Sequence, residues 1–246
     1  MRLIAWNANF NSRKNRSLDD NARLLSVFYP DVIVLSETAL PLHSAHLSDK
    51  SIAIGETNPG LAVMAFGPYT IKRSELNTGA PELSCLVHVD GPVPFVLLAL
   101  WPVDRDKKHP YHQTLMRNLD YFGASLSRAP AIMAGDFNSS ARVKDQVDTH
   151  PQFIEKAHNL GIESVYHHHT GEPHGAELLN TYVHGKEQPQ PFHIDYCFVS
   201  RSLIRASTVT IPQSQEWSQV SDHFPLILDI PDRALQDAST DSSRAT

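Results

Sequence analysis

Cysteine is nearly absent from this sequence: two residues, Cys85 and Cys197, in 246. Each falls within an apolar strand-like run, so a disulfide-stapled secreted scaffold is excluded and buried free thiols in a reducing, cytoplasmic setting are expected. No stretch approaches the roughly 18 consecutive apolar residues of a membrane-spanning helix. Met1 leads straight into Arg2-Leu3-Ile4-Ala5-Trp6, without the apolar core and small-residue cleavage site of a secretory leader. Positive charge is also scarce: 21 Lys and Arg against 27 Asp and Glu leave a formal charge of −6. That balance excludes a broad basic face for tight, non-specific duplex binding, but not a few local cations that meet phosphates.

What is present is the composition of an ordinary globule, 41% hydrophobic and 20% charged. Short apolar runs bounded by Gly, Pro, Asn or Asp recur at Arg2–Trp6, Asp31–Leu35, Leu61–Phe66, Ser84–Val89, Phe95–Leu100, Ala131–Ala134, His193–Val199 and Leu226–Ile230. These read as buried strands. Helical spacing appears in Ser17–Phe28, where Leu18, Ala22, Leu25 and Phe28 share a face, and in His112–Leu126, where Leu115, Met116, Leu119 and Phe122 do. Without repeats or a linker, the strands pool into one α/β domain over residues 1–231, two stacked sheets covered outside by helices. Residues 232–246, rich in Ser, Asp, Ala and Arg, read as a polar, disordered tail.

Polar residues cluster at the ends of these strands. Asn7 follows the first run, Glu37 follows Val32–Leu35, Asp136 and Asn138 follow Ala131–Ala134, Asp195 opens the seventh run, and Asp222-His223 precedes the last. Singly, each reads as a turn former or helix cap. Should the strand ends converge, the carboxylates would repel one another unless a cation sat among them. Oxygen donors without a thiolate cluster select a hard ion, Mg²⁺ or else Mn²⁺ or Ca²⁺. A metal of that kind, keeping its waters, suits phosphoester hydrolysis.

The set "WNANF", "DVIVLSET", "GDFNSS", "HIDYCFVS" and "SDHFPL" resembles the successive motifs of the endonuclease/exonuclease/phosphatase superfamily, in order and across nearly the whole chain. The resemblance implies a four-layered α/β sandwich of two packed mixed sheets flanked by helices, and a hydrolase using Mg²⁺ or Mn²⁺. It assigns Asn7, Glu37 and Asp222 to the metal region, with Glu37 the direct ligand. Asp136 is the general base for the attacking water and Asn138 its partner; Asp195 orients His223, which contacts the scissile phosphate.

Some branches of the superfamily carry a histidine where the Phe95–Leu100 strand ends. This chain has Trp101-Pro102, which resembles instead the exonuclease III and abasic-site endonuclease branch, where a loop tyrosine serves. Tyr111 is the match, with His109 and His112 as alternatives and a packing role as the plain reading. Basic residues recur in loops after functional strands: Arg13, Lys14 and Arg16; Arg105, Lys107 and Lys108; Arg142 and Lys144. A rim of this kind suits a polyanionic strand. Trp101 is a candidate for stacking on a base, or for core packing, and Thr181 with Tyr182 falls where the superfamily has a Thr-aromatic pair near the phosphate. The His-rich segment Ser164–Glu172, followed by His174 and His184, offers transition-metal ligands for a second site, but irregular spacing without cysteine favours a flexible rim loop. The expected protein is a monomeric DNA nuclease with no membrane or obligate protein partner. A hydrolase of small or lipid phosphoesters and a catalytically silent binding module are the alternatives.

Overall fold

A computed structural model describes residues 1–10, 16–40, 49–103, 110–185 and 187–244. The strands, in chain order, are β1 (Arg2–Asn7), β2 (Val32–Thr38), β3 (Ser51–Ile54), β4 (Gly60–Ala65), β5 (Thr70–Arg73), β6 (Ser84–Asp90), β7 (Phe95–Leu100), β8 (Ala131–Asp136), β9 (Ile162–Ser164), β10 (Tyr182–His184), β11 (Gln190–Phe192), β12 (Asp195–Ser200), β13 (Thr208–Thr210) and β14 (Leu226–Asp229). The helices are α1 (Leu18–Leu25), α2 (Tyr111–Arg128), α3 (Thr149–Asn159), α4 (Val165–Thr170), α5 (Gln215–Val220) and α6 (Asp232–Arg244). Among the described residues no helix is long and apolar enough to cross a membrane.

Two six-stranded mixed sheets form, in the orders β13-β14-β1-β2-β4-β3 and β5-β6-β7-β8-β12-β9, beside a β10-β11 hairpin. The central strands are apolar at every position because both of their faces are covered. Along β6 and β7, Cys85, Val87, Leu97 and Ala99 point into the core between the sheets, where they join Leu3, Ala5, Val34 and Val63. The alternate residues Leu86, Leu98 and Leu100 point outward against Leu115, Leu119 and Phe122 of α2 and Phe153 of α3. The period-2 split of one continuous apolar run into two cores produces the layered sandwich.

Local chemistry fixes the ends. Ser17 caps α1 by accepting from the Asp20 N–H at 3.1 Å, while the Asp20 carboxylate accepts from the Ser17 N–H at 3.3 Å, a reciprocal capping box. At Gly135 the left-handed backbone (φ +143°) brings the chain so close to β7 that an added Cβ would lie 2.0 Å from the Leu100 carbonyl oxygen. Both cysteines are free and buried, and burial pushes the Cys85 thiol up to about 11.

Three expectations are corrected. Residues 232–244 are not a frayed tail but the helix α6, because Leu235 and Ala238 fall on one face and bury themselves in the main core. The His-rich segment is not a loose rim loop: Val165–Thr170 is the helix α4, closed at Gly171 in the left-handed conformation with its N–H donating to the His167 carbonyl at 3.0 Å. Trp101 does not present a stacking face. It is only 4% exposed and packs in the core between the sheets, its backbone N–H donating to the Leu83 carbonyl.

Candidate active site

The two sheets are joined in space where β1 and β8 pack across the sandwich. β1 runs parallel to β2 and β7 parallel to β8, so the C-terminal ends of these strands fall on one edge. β12 is antiparallel to β8 and begins where β8 ends, which sets Asp195 directly opposite Asp136 in the ladder. Like charges facing across a strand pair are destabilising, and this pair is buried: each is 1% exposed.

Asn7 joins the two halves. Its Nδ2 donates to Asp136 Oδ2 at 2.8 Å and to Glu37 Oε1 at 3.1 Å, while its Oδ1 accepts from the Asn9 N–H at 2.9 Å. Asn7 therefore spaces two carboxylates with its amide nitrogen. Glu37 is aimed by a register shift in the β2-β4 pairing between Leu35 and Thr38, where its backbone turns left-handed (φ +46°). Bulges re-aim side chains in this way. Asn9 (φ +50°) and Asn138 (φ +49°) share the conformation. Three left-handed residues in one site mark backbone held there by its surroundings.

Asp136 Oδ1 accepts from the Asn138 N–H at 2.9 Å, and the Asn138 amide donates to the Pro102 carbonyl at 3.1 Å, tying the β8 end to the β7 end. Asp195 Oδ2 sits 2.9 Å from Nδ1 of His223, both buried. Burial would lower the His223 value, but the Asp195 charge and hydrogen bond, with Asp136 and Asp222, outweigh it and hold the imidazolium to about 10. Burial first, then the Asp195 charge, raise Asp136, and burial likewise raises Glu37. Asp222 is held by the Asn9 amide.

Several supports escaped the sequence reading. Ser221 Oγ donates to the Asn7 carbonyl at 2.8 Å and accepts from the His223 N–H at 3.0 Å, and the Trp6 indole N–H donates to the His223 carbonyl at 3.0 Å. The Tyr182 ring lies 4.5 Å from the His223 ring. The hint for Asn9 was present in the alternation of amides in Asn7-Ala8-Asn9; that for Trp6 was not, because an indole in an apolar run reads as core. Thr181 is corrected: it is fully buried, and its Oγ1 accepts from the N–H groups of Ile194 and Asp195, both at 3.0 Å. It positions Asp195 instead of meeting a substrate. Arg16 is likewise committed to the carbonyls of Ala8 and Val220. Tyr111 opens α2. Arg13, Arg105, Lys107, Lys108 and His109 lie outside the described residues.

The donor set fits a divalent cation. Carboxylate oxygens of Asp136 and Asp195 lie within 4.8 Å of each other, Glu37 is bonded into the same group through Asn7, and Asp195 Oδ1 is buried with no partner among the described residues. Four carboxylates against one imidazolium leave an excess of negative charge in a dry setting, which oxygen-loving ions neutralise.

Comparison with known proteins agrees with this geometry. The model of the Endonuclease/Exonuclease/phosphatase family matches residues 4–223. Among solved structures, the 3′ phosphatase NExo from Neisseria, bound to a product DNA hairpin, superposes with a TM-score of 0.69 at 17% identity, covering 94% of this chain and 99% of that one. An AP endonuclease from Archaeoglobus fulgidus gives 0.63 at 16% identity, covering 94% and 99%. D. rerio TDP2 complexed with a single-strand DNA product gives 0.59 at 15%, covering 93% and 97%. No curated protein matches the sequence.

Proposed function

This chain belongs to the endonuclease/exonuclease/phosphatase family, and from that premise we propose that it is a Mg²⁺- or Mn²⁺-dependent phosphodiester hydrolase acting on DNA. The observation that carries the chemistry is the buried Asp195–His223 pair set opposite Asp136, with Glu37 and Asp222 completing the acidic group.

Asp136 is the general base. Its raised proton affinity brings it towards the working pH, where a base that must hold and then release a proton is most effective. Asn138 braces it through the backbone and Asn7 through the amide, so the carboxylate cannot turn away from the attacking water. His223 stays protonated and donates to a non-bridging phosphoryl oxygen as charge builds there in the transition state. Asp195 fixes its orientation and charge. Glu37 and Asp222, with the unpartnered Oδ1 of Asp195, supply the oxygens that would hold the cation, which when bound would polarise the phosphate and offset charge on the leaving oxygen. Tyr111 is a further donor to the phosphate or leaving group.

The DNA reading draws on the three relatives above, whose descriptions name DNA products or AP endonuclease activity, and on the basic residues Arg13, Arg105, Lys107 and Lys108, which follow β1 and β7 in the sequence. The test is to incubate the metal-stripped chain, with and without Mg²⁺, against abasic duplex, 3′-recessed duplex, single-stranded DNA, RNA and a panel of small phosphate esters. Mg²⁺-dependent cleavage of DNA is expected; turnover confined to small esters would replace the nuclease reading with a phosphatase.

A further inference from the structure

Around Tyr196 of β12, four histidines that the mechanism does not use gather. His150, His167, His174 and His193 each lie 5.0–6.1 Å, ring to ring, from Tyr196. They arrive from separate segments: α3, α4, the turn after α4 and the approach to β12. Among them sits Glu177, with its side chain 1% exposed.

Glu177 is a buried negative charge. Burial would raise it, but the hydrogen bonds from His167 and from backbone N–H groups hold it down to about 2. One oxygen, Oε1, is met by His167 Nε2 at 3.1 Å and by the Gly175 N–H at 2.9 Å. The other, Oε2, is buried without a partner among the described residues. A dry carboxylate with a bare oxygen calls for a cation beside it.

The histidines are arranged to offer lone pairs. His193 Nδ1 faces the Leu179 carbonyl at 2.8 Å, an acceptor only, so that nitrogen carries the proton and Nε2 is a bare, buried lone pair. His174 Nδ1 meets His150 Nε2 at 3.1 Å, and His150 Nδ1 meets Ser139 Oγ at 2.9 Å. His167 Nδ1 meets Ser164 Oγ at 2.8 Å. His167 and His174 thus each have Nδ1 anchored by an outer partner, as ligating histidines do, and His167 Nε2 points at Glu177 Oε1, where a cation would replace its proton.

We propose that His167, His174 and Glu177, whose ligating atoms lie within 4.8 Å of one another, form a second metal site, of the Zn²⁺ type. Two imidazoles and one carboxylate are a zinc donor set, unlike the oxygen-rich group of the catalytic site. Drawing them to the ~2.0–2.2 Å of zinc ligation requires the stacked rings of His167 and His174, 3.5 Å apart, to tilt about their Cβ–Cγ bonds. A water takes the fourth position. The metal ties α4 and the turn carrying Glu177 to the wall behind the catalytic strand, where Tyr196 donates to the carbonyls of Ser139 and His193.

The test counts metal. The full chain, stripped with chelator and then given excess Mg²⁺ with a limited amount of Zn²⁺, is passed through a desalting column and its zinc measured by mass spectrometry. One zinc per chain is expected for the native sequence and for Glu37→Gln, whose substitution lies in the catalytic group; Glu177→Gln and His174→Gln are expected to lose it. Zinc retention by folded Glu177→Gln and His174→Gln equal to the native level, or no retention by the native chain, would overturn the proposal and leave a protonated His167 as the partner of Glu177. Should these variants fail to fold, Co²⁺ titration of the native chain and of Glu37→Gln decides. The intense visible bands of four-coordinate Co²⁺ in both support the site, and their absence from either overturns it.

Discussion

Oδ2 of Asp195 lies 2.9 Å from Nδ1 of His223, and both side chains are buried where the two sheets meet. The contact holds His223 protonated through the neutral range, up to about 10. A value raised by folding stabilises the folded chain fully below the unfolded value and the contribution is lost as pH rises through the folded one. Asp195→Asn keeps the bonding shape but removes the charge. The alkaline limb of kcat/KM is expected to move to lower pH, with activity lower by about 10²–10⁴-fold. An unmoved limb, followed alongside imidazole titration by NMR, would remove His223 from the role of proton donor.

Asp136→Asn is expected to separate activity from stability. Burial and the facing Asp195 raise the Asp136 value. A carboxyl raised by folding favours the folded state only while protonated, below its unfolded value, and that benefit is lost as pH rises through the folded value. At neutral pH in metal-free buffer the neutral amide therefore relieves repulsion. The amide NH2 must face one of the two N–H donors on Asp136, from Asn7 or Asn138, which offsets that relief, so urea unfolding should show a net change of no more than about 1 kcal/mol, while hydrolysis falls by at least the factor assigned to a general base. A large loss of stability with activity retained would contradict both parts.

Mg²⁺ should bind the folded chain alone and raise its melting temperature. At about 100 times Kd the gain is about 2.7 kcal/mol, and chelator should reverse it. Glu37→Gln, which removes one anionic oxygen from the group that Asn7 spaces, is expected to abolish most of the shift. Calorimetry of the two proteins with and without Mg²⁺ checks this, and an equal response would place the cation elsewhere.

Gly135→Ala is expected to be severely destabilising although it adds one methyl group. The new Cβ would fall 2.0 Å from the Leu100 carbonyl oxygen, in a backbone conformation (φ +143°) that favours glycine. The nearest atoms it would meet are all backbone of Leu100, with no flexible side-chain end to give way, so a loss of about 3 kcal/mol or more follows from the combined clash and strain. Chemical denaturation measures it; a change below about 0.5 kcal/mol, the range of an ordinary surface substitution, would contradict the close approach.

The eight strands legible in the sequence are those with runs of apolar residues, and all eight form the interior of the two sheets. The six that were not, β3, β5, β9, β10, β11 and β13, are three or four residues long and stand at sheet edges or in the hairpin. Edge strands bury one face or neither, so they need no apolar run and leave no periodic signal. α6 was missed for a related reason: two buried residues, Leu235 and Ala238, dock an otherwise polar helix. Trp101 and Thr181 were placed in the right neighbourhood, but whether Trp101 stacks or packs was left open and Thr181 was given the wrong task, because a strand-end position does not reveal which way a side chain turns.

The sequence by itself determined the two-faced apolar strands, the order of the motifs and the identity of the acids, amides and histidine at the strand ends. These follow from composition and short-range spacing, which survive without three-dimensional contacts. Only the tertiary structure decided that Asp195 faces Asp136, that Asn7 spaces Glu37 from Asp136, and that His150, His167, His174 and His193 surround one buried glutamate. Those relationships span tens to hundreds of residues. Strand register and sheet packing bring them together, and the same packing excludes the water that would otherwise screen their charges.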